Sequence, residues 1–580
     1  MFVKERNKIP LPSADVKVRI ALVYPNAYEM GMSSYTIHLL YSLFNNYPGI
    51  RCERFFLPKK KEKHTILQSL DSGSKLTDFD VIAFSVHYEL DYMNILWILE
   101  NLHLPFRTKA RRLKNHPLII AGGSAVKSNP LILLPFIDVL VFGDLEPIFE
   151  EFCKVLVKIG DRYEKFDQAI SDNSDELTDF CSIPNVIVSS FALNSLEDSS
   201  TSGCVFPVKH KVLSLLDESS NPTRQILPVF QDPDLSLAFG ETFLLEVNRG
   251  CPSGCRFCLT GYVNRPFRNR SFDQIKHIID ESILNTGAKK ITLIGSAVAS
   301  HPKFFEICQY IVDKNLQVMI PSIRIDLITP KILNVLKLGG VKSLTIAPET
   351  GTEVLRRKLN KNICNSEIIE KCEMIFNFGF QSIKFYFLVG LPFETQEDIQ
   401  GITELIQNIQ SRSGKNIPKK GIRLSINPFI PKFFTPYRDY THNFINQKME
   451  YFRNTEKFLK SEFTHSPQIE VEFLNWKEAR LQTILSQLDE TFAPYVEEFY
   501  ENGALPVAMN RIDKENDNVI SDYLIQLSES FLKNVSNSTL KLQKLINFGF
   551  IENYLLNEAI LGQKEKITGC TDGCNRCGMC

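Results

Sequence analysis

Short apolar runs and helix-period segments alternate along most of the chain. Residues 16–24 (VKVRIALVY) read as a strand closed by Pro25–Asn26, and Tyr35 to Phe44 spaces its apolar side chains as an amphipathic helix does. The pattern recurs with a strand over 80–86 (DVIAFSV), a helix over 91–102 and a strand over 117–121 (PLIIA) ending at Gly122–Gly123. A further strand over 138–142 (DVLVF) ends at Gly143, and a helix follows from Pro147. Buried strands alternating with helices predict a parallel sheet covered on both faces. Ligands of such sheets bind at the carboxyl ends of strands. Here those ends carry Asn26, Ser85, Gly122, Gly123 and Gly143.

Residues 156–235 change texture. They are rich in Ser, Asp and Asn and read as a connector with short strands, PNVIVSS and KHKVLSLLD among them. A second strand–helix series starts near Glu241, with strands FLLEV, KITLIG, QVMIPSI, SLTIAPE, SIKFYFLVG and IRLSINPF between 243 and 429. Such a series suggests a partial barrel with its chemistry in the loops at the C-terminal mouth. From Asn443 the pattern is helical, through QKMEYFRNTEKFLKSEF, WKEARLQTILSQLDETFAPYVEEFYENG and VISDYLIQLSESFLKNV. The expected architecture is α/β. A Rossmann-like parallel sheet spans 1–155, a linker with short strands 156–238, and a partial (β/α)6 TIM-type barrel 239–440. A mainly helical region then spans 441–567 and a Cys-rich tail 568–580.

Composition narrows the function classes. The chain has 580 residues, 66 Lys plus Arg against 67 Asp plus Glu, and a net charge of -1. That excludes a protein held on nucleic acid by bulk charge. The basic runs Arg107–Lys114 and Lys415–Arg423 read as solvated surface, so RNA binding is not favoured. A 44% hydrophobic and 23% charged composition is that of a globular chain. The longest apolar run, Pro130 to Gly143, is broken by Pro135 and Asp138 and is shorter than the ~20 residues of a membrane span. MFVKERNKIPLPS lacks the apolar core of a signal peptide. The expectation is a soluble cytoplasmic protein.

Of the 14 cysteines, Cys52, Cys153, Cys181, Cys204, Cys308, Cys364 and Cys372 are scattered and read as small buried or neutral residues. The rest form two clusters, which in a cytosolic chain point to metal or redox chemistry. EVNRGCPSGCRFCLT places Cys251, Cys255 and Cys258 just after a strand. Three thiolates can hold three irons of a cubane and leave the fourth open, as catalytic metal sites require. The alternative is zinc or free thiols. The tail carries Cys570, Cys574, Cys577 and Cys580, enough for a closed site of either iron–sulfur or zinc.

The run Cys251-Pro-Ser-Gly-Cys255-Arg-Phe-Cys258, with Phe257 before the last cysteine, resembles the signature of the radical SAM enzymes. The resemblance implies a 4Fe–4S cluster whose open iron binds S-adenosylmethionine and cleaves it reductively to a 5′-deoxyadenosyl radical. Gly295 and Ser296 stand where the family contacts the methionine amino group, though its usual Gly-Gly-Glu is absent. Ser322 and Arg324 resemble its ribose and carboxylate contacts. Glu349, Gly390 and Pro392 match later strand-end motifs. The N-terminal half resembles the cobalamin-binding domain fused ahead of many such barrels, which implies Asn26, Ser85, Gly122, Gly123 and Gly143 as cobalamin contacts and a corrin presented over the barrel mouth. Its first loop, Pro25 to Ser34, lacks the histidine that ligates cobalt in that domain, so either cobalamin binds without a protein histidine or the domain has lost the cofactor and serves as a flavodoxin-like scaffold or substrate platform. His38 on the next helix reads as a packing or surface residue.

The resemblance implies a transferase that methylates or otherwise functionalises an unactivated C–H bond of an unidentified substrate. It takes its electron from a donor such as flavodoxin or ferredoxin. One alternative is methylthiotransferase-like sulfur insertion with an auxiliary cluster in the tail. An alternative of another class is a non-catalytic iron–sulfur redox sensor or assembly protein.

Overall fold

Strand and helix alternate in the computed structural model much as the hydrophobic pattern predicts, but they sort into two units whose borders cross the chain more than once. The structure describes residues 4–58, 61, 65–111, 116–162, 175–197, 203–229, 236–440, 449–501, 537–569, 574 and 576–579. One unit comprises Met1–Ser214, Glu218–Glu241 and Ile484–Gly549, and the other Leu215–Asp217, Thr242–Thr483 and Phe550–Cys580. Residues 156–214 and 218–238, expected as a linker, therefore belong to the first unit. The C-terminal region expected to be helical is divided between the two.

The first unit is built on β1 (Val18–Ala27), α1 (Tyr35–Asn45), β2 (Ile50–Leu57), β3 (Val81–Ser85), α2 (Tyr92–Asn101), β4 (Leu118–Gly122), β5 (Val139–Val141), α3 (Phe149–Arg162) and β6 (Val186–Val188). The sheet order is β2-β1-β3-β4-β5-β6. All neighbours are parallel except β5 and β6. β1 does not stop at Pro25–Asn26 but runs on to Ala27, with a register shift after Tyr24. The connector segment PNVIVSS supplies β6 and so extends the sheet. Cys181 and Cys204, expected as isolated neutral residues, are joined in a disulfide with Cα atoms 4.9 Å apart.

Two other expectations change here. Arg111 is buried rather than solvated. Its guanidinium donates to the carbonyls of Pro105, Phe106 and Phe136 and pairs with Asp138 at 3.1 Å. Arg107 pairs with Glu497. Residues 112–115 lie outside the described residues.

In the second unit the strands are β7 (Phe243–Glu246), β8 (Lys290–Ile294), β9 (Gln317–Met319), β10 (Ser343–Glu349), β11 (Ser382–Val389), β12 (Ile422–Pro428) and β13 (Ile469–Phe473). The last of these falls in a stretch expected to be helical. The intervening helices are α4 (Phe272–Thr286), α5 (Phe304–Asp313), α6 (Pro330–Leu338), α7 (Asn365–Asn377), α8 (Gln396–Ser413) and α9 (Met449–Phe463), with α10 (Tyr554–Gln563) near the C-terminus. Two sheets, β7-β8-β9 and β10-β11-β12-β13, are parallel throughout. The backbone of Ile323, past β9, donates to Thr345 of β10 at 2.9 Å. One apolar core runs through both sheets and their helices.

Local chemistry explains the helix limits. Ser271 caps α4 by accepting from the Gln274 amide, and Gly287 ends it at φ 63. Thr329 caps α6 with Pro330 in its first turn. Among the described residues no helix is long and apolar enough to cross a membrane. The helix expected over 519–535 lies outside the described residues.

Candidate functional site

The parallel pairing sets the carboxyl ends of neighbouring strands side by side, and the chemistry-bearing residues of the second unit follow those ends. β7 delivers the cysteine loop through a short ribbon, Asn248–Arg249 against Arg268–Asn269. Arg249 grips Glu246 with both nitrogens, at 3.0 and 2.8 Å. Gly250, just ahead of Cys251, has φ +80, and a Cβ there would lie 2.4 Å from the Asn264 carbonyl. Only glycine fits that close approach.

The loop is clamped from behind. Arg256, between the last two cysteines, is 0% exposed and turned into the protein. Its Nε donates to the Glu558 carbonyl at 2.7 Å, and its Nη atoms donate to the carbonyls of Arg357, Lys358 and Lys566. Its backbone N–H reaches Leu359. Asn360 Nδ2 donates to the carbonyls of Ser253 and Gly254 at 3.1 and 3.0 Å, and the Tyr262 hydroxyl donates to Gly254 at 2.9 Å. Phe257 packs with Leu355, Leu359, Leu391 and Tyr437.

Cys255 is buried, with Cys251 and Cys258 half-buried beside it. Burial pushes the Cys255 thiol up to about 12, against the opposing charge of Lys361, and also raises Cys258. Such thiols ionise readily only beside a strong positive charge, such as a bound metal supplies. Among the described residues no three Cys, His, Asp or Glu side chains converge tightly enough for a single metal ion. A cubane asks for no such convergence, since each thiolate takes a different iron. The donor set therefore fits a 4Fe–4S cluster.

Several residues named from the sequence adjoin this loop. Glu349, at the end of β10 with φ 71, pairs with Lys361 at 2.7 Å. That Lys361 also donates to the Ala347 carbonyl and acts on the Cys255 charge. Arg324 hydrogen-bonds Ser253 of the loop and holds Asp326 with two nitrogens. Gly295 lies against Asn248, where a Cβ would come within 2.2 Å of Oδ1, and Asn248 Nδ2 donates to the Ala297 carbonyl. Ser296 and Ser322 are exposed at their strand ends, and Pro392 is buried. Gly390, φ 77, donates its N–H to Glu394 at 2.8 Å.

Arg256, Asn360, Lys361 and Glu394 escaped the sequence reading. Their signals were present: the basic residue inside the cysteine run, the RRKLNKN segment after APETG, and the acid in GLPFE. Glu394 also accepts from the Leu391 N–H and the Tyr451 hydroxyl. Burial nonetheless raises its carboxyl to about 7. The folded protein thus binds this proton more tightly than the unfolded chain, whose Glu titrates near ~4.3. Its contribution is complete below that value and is lost as pH rises through about 7. Between pH 5 and 8 the wild type should lose on the order of 2 kcal/mol more than Glu394→Gln. Denaturant titrations of both proteins across that range check this, and parallel curves would refute it.

In the first unit, Asn26 Nδ2 donates to Asp91 at 2.8 Å. A Cβ on Gly123 would meet the Val86 carbonyl at 2.3 Å, and one on Gly143 would meet Asn185. Gly122 ends β4 beside Val141. Ser85 hydrogen-bonds His87 Nε2 at 3.1 Å, and Ser124 faces its Nδ1 at 3.3 Å. The His87 ring stacks on Tyr24, and burial lowers its pKa to about 4. His38 is buried with Nε2 3.2 Å from the Met32 carbonyl, so it packs rather than facing the strand ends. Of the tail cysteines, Cys574 is half-buried and Cys577 buried, while Cys570 and Cys580 lie outside the described residues.

Residues 36–184 match the model for the N-terminal region of radical SAM proteins, and residues 245–406 match the radical SAM superfamily. The protein MJ0966 of Methanocaldococcus jannaschii is 28% identical over 481 residues, 82% of this chain and 90% of its own length. The tRNA-2-methylthio-N(6)-dimethylallyladenosine synthase of Ehrlichia chaffeensis is 28% identical over 198 residues, 30% of this chain and 43% of its own length. The chain thus matches under half of that relative. Among solved structures, the radical S-adenosylmethionine methyltransferase TsrM from Kitasatospora setae aligns over 81% of this chain at 11% identity with a TM-score of 0.48. The chain belongs to the radical SAM superfamily of enzymes, whose domain carries a 4Fe–4S cluster and S-adenosylmethionine.

Proposed function

We propose that this protein is a radical SAM transferase that places a one-carbon group on an unactivated carbon, with cobalamin held by the first unit. The cluster and S-adenosylmethionine on Cys251, Cys255 and Cys258 supply a one-electron cleavage that generates a carbon radical. The chain's own residues prepare the place for it. Arg256 and Asn360 immobilise the loop from behind, and Arg324 bonds it through Ser253. Lys361 and Glu349 set a balanced charge pair beside Cys255. Asn248 and Glu394 fix the loops after β8 and β11. A flavodoxin- or ferredoxin-type protein serves as electron donor.

The observation that carries the cobalamin reading is the carboxyl edge of the first sheet. It offers the stacked rings of Tyr24 and His87 and the hydroxyl of Ser124 at the place where such sheets bind ligands. Both ring nitrogens of His87 are engaged by serines, and His38 is sealed inside. Tyr24, Ser85, His87 and Ser124 would hold a corrin there, and neither histidine would offer it a free ring nitrogen. The protein should therefore take up hydroxocobalamin, and its Co(II) resonance spectrum should lack nitrogen splitting from the chain. Absence of uptake, or splitting abolished by His87→Ala, refutes this reading.

The second reading, radical sulfur insertion, is favoured by the thiols of Cys574 and Cys577 in the same unit as the cysteine loop. Mass analysis of the product separates the two, since one adds a methyl group and the other a methylthio group.

A further inference from the structure

We propose that Lys361 and Glu349 together set the reduction potential of the 4Fe–4S cluster, Lys361 raising it towards the electron donor and Glu349 holding it down. This rests on Cys251, Cys255 and Cys258 being the cluster's ligands.

Two unusual turns bring the pair to the cysteine loop. After the short helix Glu353–Lys358 the chain reverses at Asn360, which stands at φ 65. Asparagine tolerates that left-handed conformation better than most side chains. The Lys361 N–H returns to the Arg356 carbonyl at 2.9 Å, and Asn360 Nδ2 reaches the carbonyls of Ser253 and Gly254, the latter adjoining Cys255. From the other side, β10 shifts register between Ile346 and Glu349, and Glu349 ends it at φ 71. Nothing in a glutamate favours that conformation, and such outliers persist where the surroundings over-determine them. Here the partner is Lys361, whose Nζ donates to Glu349 Oε1 at 2.7 Å and to the Ala347 carbonyl at 2.6 Å. The two side chains are 16% and 11% exposed, so water screens them little.

Both charges are felt at the thiols. Burial raises the Cys255 thiol, and the strongest charge acting on it, that of Lys361, opposes the rise. Glu349 acts in the other sense on Cys255 and Cys258. Burial also works against the Lys361 charge, but Glu349 and Cys255 outweigh it and hold the ammonium above the ordinary lysine range. Arg324 interacts with Cys251 and Cys255 as well, and Asp326 grips it through two nitrogens. Lys361 and Arg324 thus each bring a carboxylate with them. Reduction adds one electron and no proton to a centre already made negative by its thiolates. A neighbouring cation therefore favours the reduced form, and a carboxylate the oxidised form. The electron comes from the reduced flavin or iron–sulfur centre of the donor, which is oxidised, and no bond forms or breaks. A lone lysine would leave the centre easily filled but weakly reducing. A lone carboxylate would put it beyond the donor's reach.

Full-length protein reconstituted anaerobically with ferrous iron and sulfide is titrated with redox mediators, without S-adenosylmethionine, and the reduced cluster is read by electron paramagnetic resonance. At a fixed solution potential, Lys361→Met should lower the ratio of reduced to oxidised cluster about tenfold, ~59 mV for a one-electron couple. Glu349→Gln keeps the side chain's shape and should raise the ratio by about the same factor. Lys361→Met/Glu349→Gln should return to within about twofold of wild type, and Lys361→Arg should stay within about threefold. A pair that only bolts β10 to the loop would lose iron in these variants and leave the potential of the remaining clusters where it was. If Lys361→Met does not hold iron, Glu349→Gln decides alone, since it retains the ammonium. Unmoved potentials, or single variants that shift the same way, overturn the proposal. Failure of the ligand assignment would show instead as a triple alanine variant of Cys251, Cys255 and Cys258 with undiminished iron and an unchanged resonance.

Discussion

Replacing Cys251, Cys255 and Cys258 together by alanine abolishes reductive cleavage of S-adenosylmethionine and removes one cluster's iron. The loop offers no substitute ligands. Ser253 is committed to Arg324, and Arg256 is turned into the protein. Glu349, whose charge acts on Cys255 and Cys258, is neutralised by Lys361. The expected fall in 5′-deoxyadenosine release under dithionite is complete, with the fold retained because the three side chains are held around a site and not within the main core. Wild-type cleavage in the triple variant would sink the assignment. Retained folding separates lost chemistry from lost structure and is checked by circular dichroism.

The second large effect concerns Arg256. Its substitution by alanine strips donors from four carbonyls, that of Glu558 buried and the others part-buried, and removes a cation from Glu558, which is 2% exposed. Breaking a buried charge partnership of this kind costs about 3–5 kcal/mol. Arg576 and Thr568 still reach Glu558, so the lower end of that range is the better expectation. Arg256→Lys keeps the charge but not the planar fork that serves several carbonyls at once, and should be intermediate. Denaturant unfolding of the three proteins measures the order. Because the guanidinium holds the loop between Cys255 and Cys258, iron retention should follow the same order. An alanine variant as stable and as iron-replete as wild type would show that the clamp is dispensable.

Much of the architecture was legible because buried parallel strands write themselves as short apolar runs. Val81–Ser85 and Leu118–Gly122 are such runs, and both ended within a residue or two of the expected place. β2, IRCERFFL, was missed because its charges hide it. Arg54 is 1% exposed and is neutralised by Glu5 and Asp71, partners distant in sequence that no local pattern reveals. β13, IEVEF, alternates as a strand should, but its helical flanks masked it. At the site, the cysteine spacing and the strand-end motifs were readable. The residues that hold them were not, because Arg256, Asn360 and Lys361 look like surface residues until the fold supplies carbonyls and a carboxylate for them. Gly123 and Gly143, read as ligand contacts, also stand where their own chain presses close, each with an added Cβ 2.3 Å from its nearest neighbour.

The clamp on Arg256 also orders events during synthesis. Its partner Glu558 lies 302 residues further along the chain, and Lys566 lies 310. At about 5–20 residues per second, those carbonyls leave the ribosome roughly 15–60 s after the cysteine loop does. Throughout that interval the loop is a nascent segment with its rear support unmade. Metal delivered then meets a floppy thiol peptide, open to zinc or to oxidation, whereas metal delivered once Lys566 has emerged and docked meets a shaped cradle. Loading of the loop should therefore be most efficient after that point.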